Sequence, residues 1–420
     1  MDSAYRFYVG IDWGTERHQV CVLDGRAEIV LESSVAHTGE ALRSFWEELT
    51  KLVDGKVDEV AVAIETPRGA VVESLVERGF HVYSINPKQL DRFRDRHTVA
   101  GAKDDRLDSL VLGDSLRTDR KLFRRVRSDD PEIVELRELS RAWEGLKGDL
   151  ARLSNQLRDQ VLRYVPQLLE LSSAADEPWF WDVLELVCES GGPTAVRASQ
   201  VKRILKESRI RRLDADAVVA KLREPAPWTT PGTQQAVRAH IALLLPRLRV
   251  TRDQSRVCER QIELLLERMM GDEPAANEIG EHRDVRILQS LPGAGTVVIA
   301  TMLAEASQPL ADRDYTTLRS QGGAAPVTKS SGKRAKNRGT VAMRYACNPR
   351  LRNALHFWGM GAIQQDDRAR SHYAALRQRG HAHGRAIRGV VDRLLSMLVA
   401  MLKTRTLYDP SRRQLRQVAA

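Results

Sequence analysis

The sequence predicts an α/β domain, then a long helical middle, then a mainly helical C-terminal part. Three observations predict it. Over residues 5–125, apolar runs of strand length alternate with amphipathic helical stretches. A strict leucine-based 3-4 spacing follows from Leu136 to Leu157. From about residue 280 to 408, the apolar residues recur mostly at helical spacing.

The first elements are strands at Phe7–Asp12, Gln19–Leu23 and Ile29–Val35. Two more follow at Val60–Glu65 and His81–Ile85, with helices at 39–53, 69–78 and 104–117. Three early strands followed by alternating helix and strand make a mixed sheet with helices packed on it. Sites in such sheets gather at the carboxyl ends of strands.

Two acids stand at such ends. Asp12 closes the run Phe7-Tyr8-Val9-Gly10-Ile11, and Glu65 closes Val60-Ala61-Val62-Ala63-Ile64. A carboxylate ending a buried strand is costly unless something compensates it. Asp105 and Asp108 lie three apart at a helix start and share a helix face. Four converging carboxylates repel one another unless divalent cations separate them. Hard oxygen donors suit Mg²⁺ or Mn²⁺. Two such ions about 4 Å apart clamp a phosphodiester during strand cleavage.

Ser128-Asp129-Asp130-Pro131 breaks the pattern and starts a helix. Beyond it, Leu136, Leu139, Trp143, Leu146, Leu150, Leu153 and Leu157 form an a/d seam. That seam reads as coiled coil, and an intramolecular helix hairpin gives the same stripe. The second arm of such a hairpin is 234–270, with Leu244, Leu248, Val257, Ile262 and Leu265. Between the arms lie Trp179, Trp181, Trp228 and many basic residues, and Pro225, Pro227 and Pro231 break helix there. The expected domains are 1–127, 132–272 and 280–408, with a basic tail at 409–420.

The 420 residues exceed one compact core. The net charge is +10, from 66 basic and 56 acidic residues, and the basic ones are mostly Arg. Arg forks onto phosphate, so this balance favours a polyanionic partner. Aromatics are only 5%, which argues against base stacking as the main device. Cys21, Cys188, Cys258 and Cys347 form no C-x-x-C pair, which fits a reduced cytoplasmic protein and argues against structural zinc. No apolar stretch has the length of a membrane span, and the N-terminus carries no signal-peptide pattern.

In the C-terminal part, Leu291-Pro292-Gly293-Ala294-Gly295 suits either a hairpin that offers N–H groups to a phosphate or a plain helix-start turn. The stretch from Pro326 to Gly339 is polar, basic and punctuated by glycine. Such a loop commonly holds phosphates, through residues such as Lys329, Lys333 and Arg334. It also suits a serine nucleophile whose transition state nearby cations stabilise. Asn348-Pro349-Arg350-Leu351-Arg352 extends the phosphate contacts, while His381 and His383, with no acidic or Cys partner nearby, read as a solvated basic loop.

These segments together resemble the DEDD transposases of bacterial insertion sequences, of the IS one-ten type. Those are also described as bridge-RNA-guided serine recombinases. The resemblance covers nearly the whole chain. It is most specific at Val9-Gly10-Ile11-Asp12, Ile64 to Gly69, Ile85-Asn86-Pro87-Lys88 and Gly101 to Asp108. In the C-terminal part it rests on Leu291 to Gly295, Pro326 to Gly332 and Asn348 to Arg352.

The resemblance implies a RuvC-like, RNase-H-type N-terminal domain with metal ligands Asp12, Glu65, Asp105 and Asp108. It implies a C-terminal transposase domain in which Ser331, before Gly332, joins covalently to DNA; adjacent Ser330 is the other candidate. It adds a dimerising coiled coil, giving a homodimer or tetramer, and phosphate contacts from Lys103, Lys329, Lys333, Arg334, Arg350 and Arg352. The implied partners are donor and target double-stranded DNA and a structured guide RNA, in the cytoplasm at the nucleoid. The chain departs from the family at Cys347, where glycine is usual, and at Ser109, where alanine is usual.

Other readings compete. A RuvC-like junction nuclease would use the metal site without a covalent serine. A non-catalytic nucleic-acid binder would carry a decayed site, against which the four intact acids argue. Val9 to Thr15 also looks like the first phosphate loop of actin-like ATPases and sugar kinases. Those folds need a second Asp-x-Gly turn, and Asp12-Trp13-Gly14 is the only one here.

Overall fold

The computed structural model describes residues 5–67, 69–85, 87–96, 104–127, 129–225, 229–271, 283–329 and 340–410. The chain divides into two compact units, Met1–Asp130 and Pro131–Ala420.

The first unit is a six-stranded mixed sheet. Its elements are β1 (Phe7–Asp12), β2 (Arg17–Asp24), β3 (Ile29–Ala36), α1 (Gly39–Leu52), β4 (Val60–Ile64), α2 (Ala70–Glu77), β5 (His81–Ser84), α3 (Pro87–Arg94), α4 (Asp105–Asp119) and β6 (Arg124–Arg125). The strand order is β3-β2-β1-β4-β5-β6. β1 pairs antiparallel with β2 and parallel with β4, and β4 pairs parallel with β5. The expected strands and helices all form, within a residue or two. Pro87–Arg94 and the short edge strand β6 are additional.

Alternation along β1 and β4 sorts the two faces. Phe7, Val9, Ile11, Val62 and Ile64 join Phe45, Trp46, Leu49 and Leu75 in one core. Tyr8, Ala61 and Ala63 join Val111, Leu112 and Leu116 of α4 in the other. The second face is built from small residues at its centre, and α4 therefore lies very close to the strands. A Cβ on Gly10 would stand 1.8 Å from the Ser109 carbonyl oxygen and 2.6 Å from the Gly113 nitrogen. Both are backbone atoms, so neither can turn away. Gly10→Ala is expected to destabilise this unit by about 3 kcal/mol, the upper end of overpacking costs. Urea unfolding checks it, and an unchanged midpoint would mean that α4 does not rest on β1.

The second unit is built on two long helices, α5 (Pro131–Tyr164) and α9 (Pro231–Met270). Between them come α6 (Pro178–Glu189), α7 (Ala198–Glu207) and α8 (Ala215–Leu222). After them come α10 (Asp284–Gln289), α11 (Thr296–Glu305), α12 (Ser307–Ala311), α13 (Tyr315–Gln321), β7 (Val327–Lys329), β8 (Thr340–Ala342), α14 (Pro349–Gln365), α15 (Asp367–Gln378) and α16 (His383–Thr404).

The leucine stripe packs within the chain. Leu153 and Leu157 share a core with Val237, Ile241, Leu244 and Leu248, together with Trp179, Phe180 and Trp181. Leu136 shares another with Ile262, Leu265 and Leu266, against which Leu139, Trp143 and Leu146 also pack. The early part of α5 thus meets the late part of α9, and the pair is an antiparallel hairpin. One expected inward residue is misplaced: Val257 is 59% exposed, while Cys258 beside it is buried and donates its Sγ–H to the Leu139 carbonyl at 3.3 Å. The buried residues Val237, Ile241, Leu244, Leu248, Ser255, Cys258, Ile262 and Leu265 of α9 keep an unbroken 3-4 spacing, and Val257 falls one residue off it.

Candidate active site

β1 and β4 run parallel with Ile11 opposite Ile64. Asp12 ends β1 and Glu65 directly follows β4, so both acids stand at the same edge, on strands about 4.8 Å apart. Alternation puts Asp12 on the face of Gly10, which α4 covers. α4 runs antiparallel to β1, because Ser109 lies over Gly10 and a Cβ on Gly113 would stand 3.4 Å from the Tyr8 carbonyl oxygen. Its start, with Asp105, therefore extends about 6 Å past Ser109 toward the Asp12 edge, at 1.5 Å per residue. The sheet register and one glycine contact bring three separate acidic segments to one edge.

Asp105 is exposed in the first turn, and the Asp104 carboxylate caps the helix by accepting from the Arg106 N–H at 3.0 Å. Asp108 is only 3% exposed. Arg94 Nε donates to its Oδ1 at 2.6 Å, and Arg94 Nη1 donates to Asp91 at 2.9 Å. The hydrogen bond to Asp108 raises the Arg94 pKa above its ordinary value. Arg106 forks onto Glu32, which holds that carboxyl below its usual range. Ser109 is fully buried and its hydroxyl donates to the Arg106 carbonyl at 2.8 Å. A small side chain is needed there because α4 presses on β1, and serine satisfies this as alanine would.

Among the described residues, no three His, Cys, Asp or Glu side chains close on a point that could hold a metal ion. The acids share an edge but are not drawn together. Carboxylates without a cation repel, and the Arg94 guanidinium supplies the positive charge beside Asp108. The donor set still fits a divalent cation: hard carboxylate oxygens at one strand edge, one of them buried and already requiring a countercharge. Lys103 and Arg68 lie outside the described residues.

Next to Asp12, a cluster that the sequence reading missed fills the turn. His18 is buried; its Nδ1 lies 3.4 Å from the Gly14 N–H and its Nε2 lies 2.8 Å from His37 Nδ1. Burial, and then His37, push the His18 pKa down. Accepting from Gly14 fixes a neutral His18 that donates to His37. Trp13 rests against both imidazoles, with ring centroids 6.2 Å and 6.4 Å away. The alternation of Arg17–Asp24 carried a signal, since His18 falls on an inward position.

In the second unit, β7 and β8 pair antiparallel from Val327–Ala342 to Lys329–Thr340. The connection that carries Ser330, Ser331, Lys333 and Arg334 lies outside the described residues, and Lys329 ends β7. The following motif makes several contacts within its unit. The Asn348 side chain caps α14 by accepting from the Arg350 and Leu351 N–H groups, and its Nδ2 donates to Glu305 at 2.7 Å. Glu305 also accepts from Arg141 of α5 at 3.0 Å. Burial alone pushes the Glu305 carboxyl up, but Arg141 and Asn348 bring it below its usual value. Arg350 pairs with Glu144 at 2.5 Å, and Arg352 Nη1 stands 4.0 Å from Cys347 Sγ. The glycine turn is also internal. Gly293 donates its N–H to Gln365 at 2.8 Å, and a Cβ there would stand 2.2 Å from the Ala362 nitrogen, so this N–H faces α14 instead of a phosphate.

Two family models match this chain. Residues 9–166 match a DEDD transposase model of IS110 type, described as a transposase, and residues 285–374 match the transposase IS116/IS110/IS902 family. A Sinorhizobium fredii protein provisionally named a transposase, y4uE, is 45% identical over 211 residues, which are 50% of this chain and 58% of that protein. The Streptomyces coelicolor mini-circle protein, provisionally named the transposase for IS117, is 27% identical over 98% of this chain and 97% of its own length. An uncharacterized 44.8 kDa protein of the insertion element IS116 from Streptomyces clavuligerus is 29% identical, covering 97% of each chain.

Proposed function

The chain belongs to the IS110 family of DEDD transposases, and on that premise we propose that it is a divalent-metal-dependent DNA recombinase with a serine nucleophile. A DEDD family implies a divalent metal at its acids. One observation carries the reading of the acidic site: the Gly10–Ser109 contact aims the acidic start of α4 at the strand edge of Asp12 and Glu65.

Asp12, Glu65, Asp105 and Asp108 would hold Mg²⁺ or Mn²⁺. When bound, the metal would neutralise charge on the scissile phosphate and favour an ionised attacking oxygen. The chain's own residues do the rest. The Ser331 Oγ attacks phosphorus and loses its proton. The bond from phosphorus to the 3′ oxygen breaks, and that oxygen takes up a proton as a 3′ hydroxyl. The phosphodiester energy stays in the seryl ester, so the reverse attack by another strand reseals the duplex without ATP. Cations of the same loop, Lys329, Lys333 and Arg334, offset charge on the phosphate. Incubating the chain with labelled duplex DNA and Mg²⁺ tests the reading. A covalent adduct that EDTA prevents supports it. Cleavage without an adduct would favour a metal-dependent junction nuclease.

Sequence specificity would come from an element-encoded RNA, because the sequence is Arg-rich and has no obvious base-reading helix-turn-helix pattern. RNA copurified from a strain carrying the flanking DNA should be one defined species. Random cellular RNA, or recombination undiminished after RNase, would remove the guide.

Assembly would use the outer face of α9. Leu243, Val250, Val257 and Leu264 recur every seven residues there and are 70%, 55%, 59% and 45% exposed. An exposed apolar heptad stripe suits a second helix, here that of another copy. Leu243→Glu with Val257→Glu should lower the particle mass in light scattering and leave helicity intact. An unchanged mass would put assembly elsewhere. Charges at Leu146 and Leu153, by contrast, should unfold the hairpin, since both pack within the chain.

A further inference from the structure

Three helices of the second unit bring basic and aromatic side chains together beside β8. From α14 come His356 and Phe357, with ring centroids 5.9 Å apart. From α15 comes Tyr373, whose hydroxyl lies 2.8 Å from His383 Nδ1. From α16 come His383, Arg385 and Arg388, and the His383 ring stands 6.4 Å from that of His356. Arg388 Nη1 reaches the sulfur of Met343, one residue beyond β8, at 3.6 Å. The cluster therefore sits at the foot of the β7–β8 hairpin.

Its charge is uncompensated. Among the described residues, no carboxylate pairs with His356, His383, Arg385 or Arg388. The acid one turn further along α16, Asp392, is taken bidentately by Arg319 at 2.8 Å and also accepts from the Tyr315 hydroxyl. Burial, and then Arg385, pull the Arg388 pKa down, and burial, His383 and Arg388 do the same to His356. Arg388 is part-buried and faces the exposed Arg385, and an anion between these like charges relieves the repulsion and, for Arg388, the lost hydration. Phe357 is 67% exposed at the side of this patch. Cations that grip a backbone next to an open aromatic face are the combination that holds a single nucleic-acid strand.

We propose that His356, His383, Arg385 and Arg388 hold backbone phosphates of a single DNA strand at the foot of the β7–β8 hairpin, with one base stacked on Phe357. The choice of DNA as the strand rests on the reading of that hairpin as the carrier of the DNA-cutting serine.

The test uses the full chain and a labelled single-stranded DNA oligonucleotide, with affinity measured by anisotropy over a KCl series. Removing two phosphate contacts by Arg385→Gln with Arg388→Gln should flatten the plot of log affinity against log salt by about 1.4, at about 0.7 per contact. Phe357→Ala should weaken binding about ten-fold and leave the slope unchanged. Arg203→Gln with Arg211→Gln, exposed positions in the α6–α8 region, should give wild-type values. An unchanged slope in the double variant overturns the phosphate site, and unchanged affinity in Phe357→Ala overturns the base platform. Losses seen with RNA of the same sequence but not with DNA overturn the assignment to DNA. If the double variant loses helicity, Phe357→Ala decides alone, because it trims an exposed side chain. No adduct is read here, so a chain that shows these changes yet forms no adduct keeps the DNA site and loses only the serine step.

Discussion

Asp105→Asn is expected to leave the chain folded and bound to DNA while slowing strand cleavage at least about 100-fold, or roughly 3 kcal/mol of barrier. Asp105 is exposed in the first turn of α4, so the change disturbs no packing. Asn keeps the shape and one oxygen but removes the charge that a divalent cation requires. Helix stability changes little, because the N-cap is Asp104. Asp108→Asn is a useful contrast. It should also slow cleavage, and it should cost stability as well, since Arg94 would lose the buried one of its two charged partners, at 2.6 Å. Cleavage of a labelled duplex over a Mg²⁺ titration, with binding measured in parallel, reads both variants. Wild-type cleavage by Asp105→Asn, or full cleavage by the unaltered chain in EDTA, would remove the metal role.

Ser331→Ala is expected to abolish the covalent protein–DNA adduct altogether, because alanine has no oxygen to attack phosphorus. DNA binding should persist, since the cations of the loop remain. Ser330→Ala should keep at least part of the adduct. Denaturing electrophoresis of the chain with end-labelled DNA separates the outcomes. If Ser330→Ala abolishes the adduct and Ser331→Ala does not, the nucleophile is the neighbouring serine. If both retain it, attack does not come from this pair.

Much of the first unit was legible in the chain. Strand-length apolar runs that end in an acid are local signals, and β1 and β4 appear where those runs lie. The mixed sheet follows from element order and short connections. The acidic edge was legible for the same reason, because a carboxylate that ends a buried strand is a cost visible in one dimension. The close approach that the small residues Gly10, Ala61 and Ala63 allow was not read from the chain, and the fold shows that α4 makes it.

Other features depended on which surfaces meet, and spacing is silent about that. The stripe from Leu136 to Leu157 is the same for a dimer seam and for an internal hairpin, and the core contacts of α5 and α9 decided for the hairpin. Val257 was expected among the packed residues of α9, but it lies one residue off the buried 3-4 spacing and faces outward with Leu243, Val250 and Leu264. Asn348 and Arg350 were expected to extend the phosphate contacts, and spacing did not show which acids they meet in the fold. Their partners, Glu305 and Glu144, come from α11 and α5, distant in the chain. The N–H of Gly293 was free to meet a phosphate until α14 supplied Gln365. Local periodicity and composition determined the elements, their order and the acids at the strand ends, because those costs are incurred within a few residues. Which helix covers a stripe, which cation neutralises Asp108 and which polar group is already satisfied were decided by tertiary packing, because a side chain's energy depends on neighbours that sequence distance does not encode.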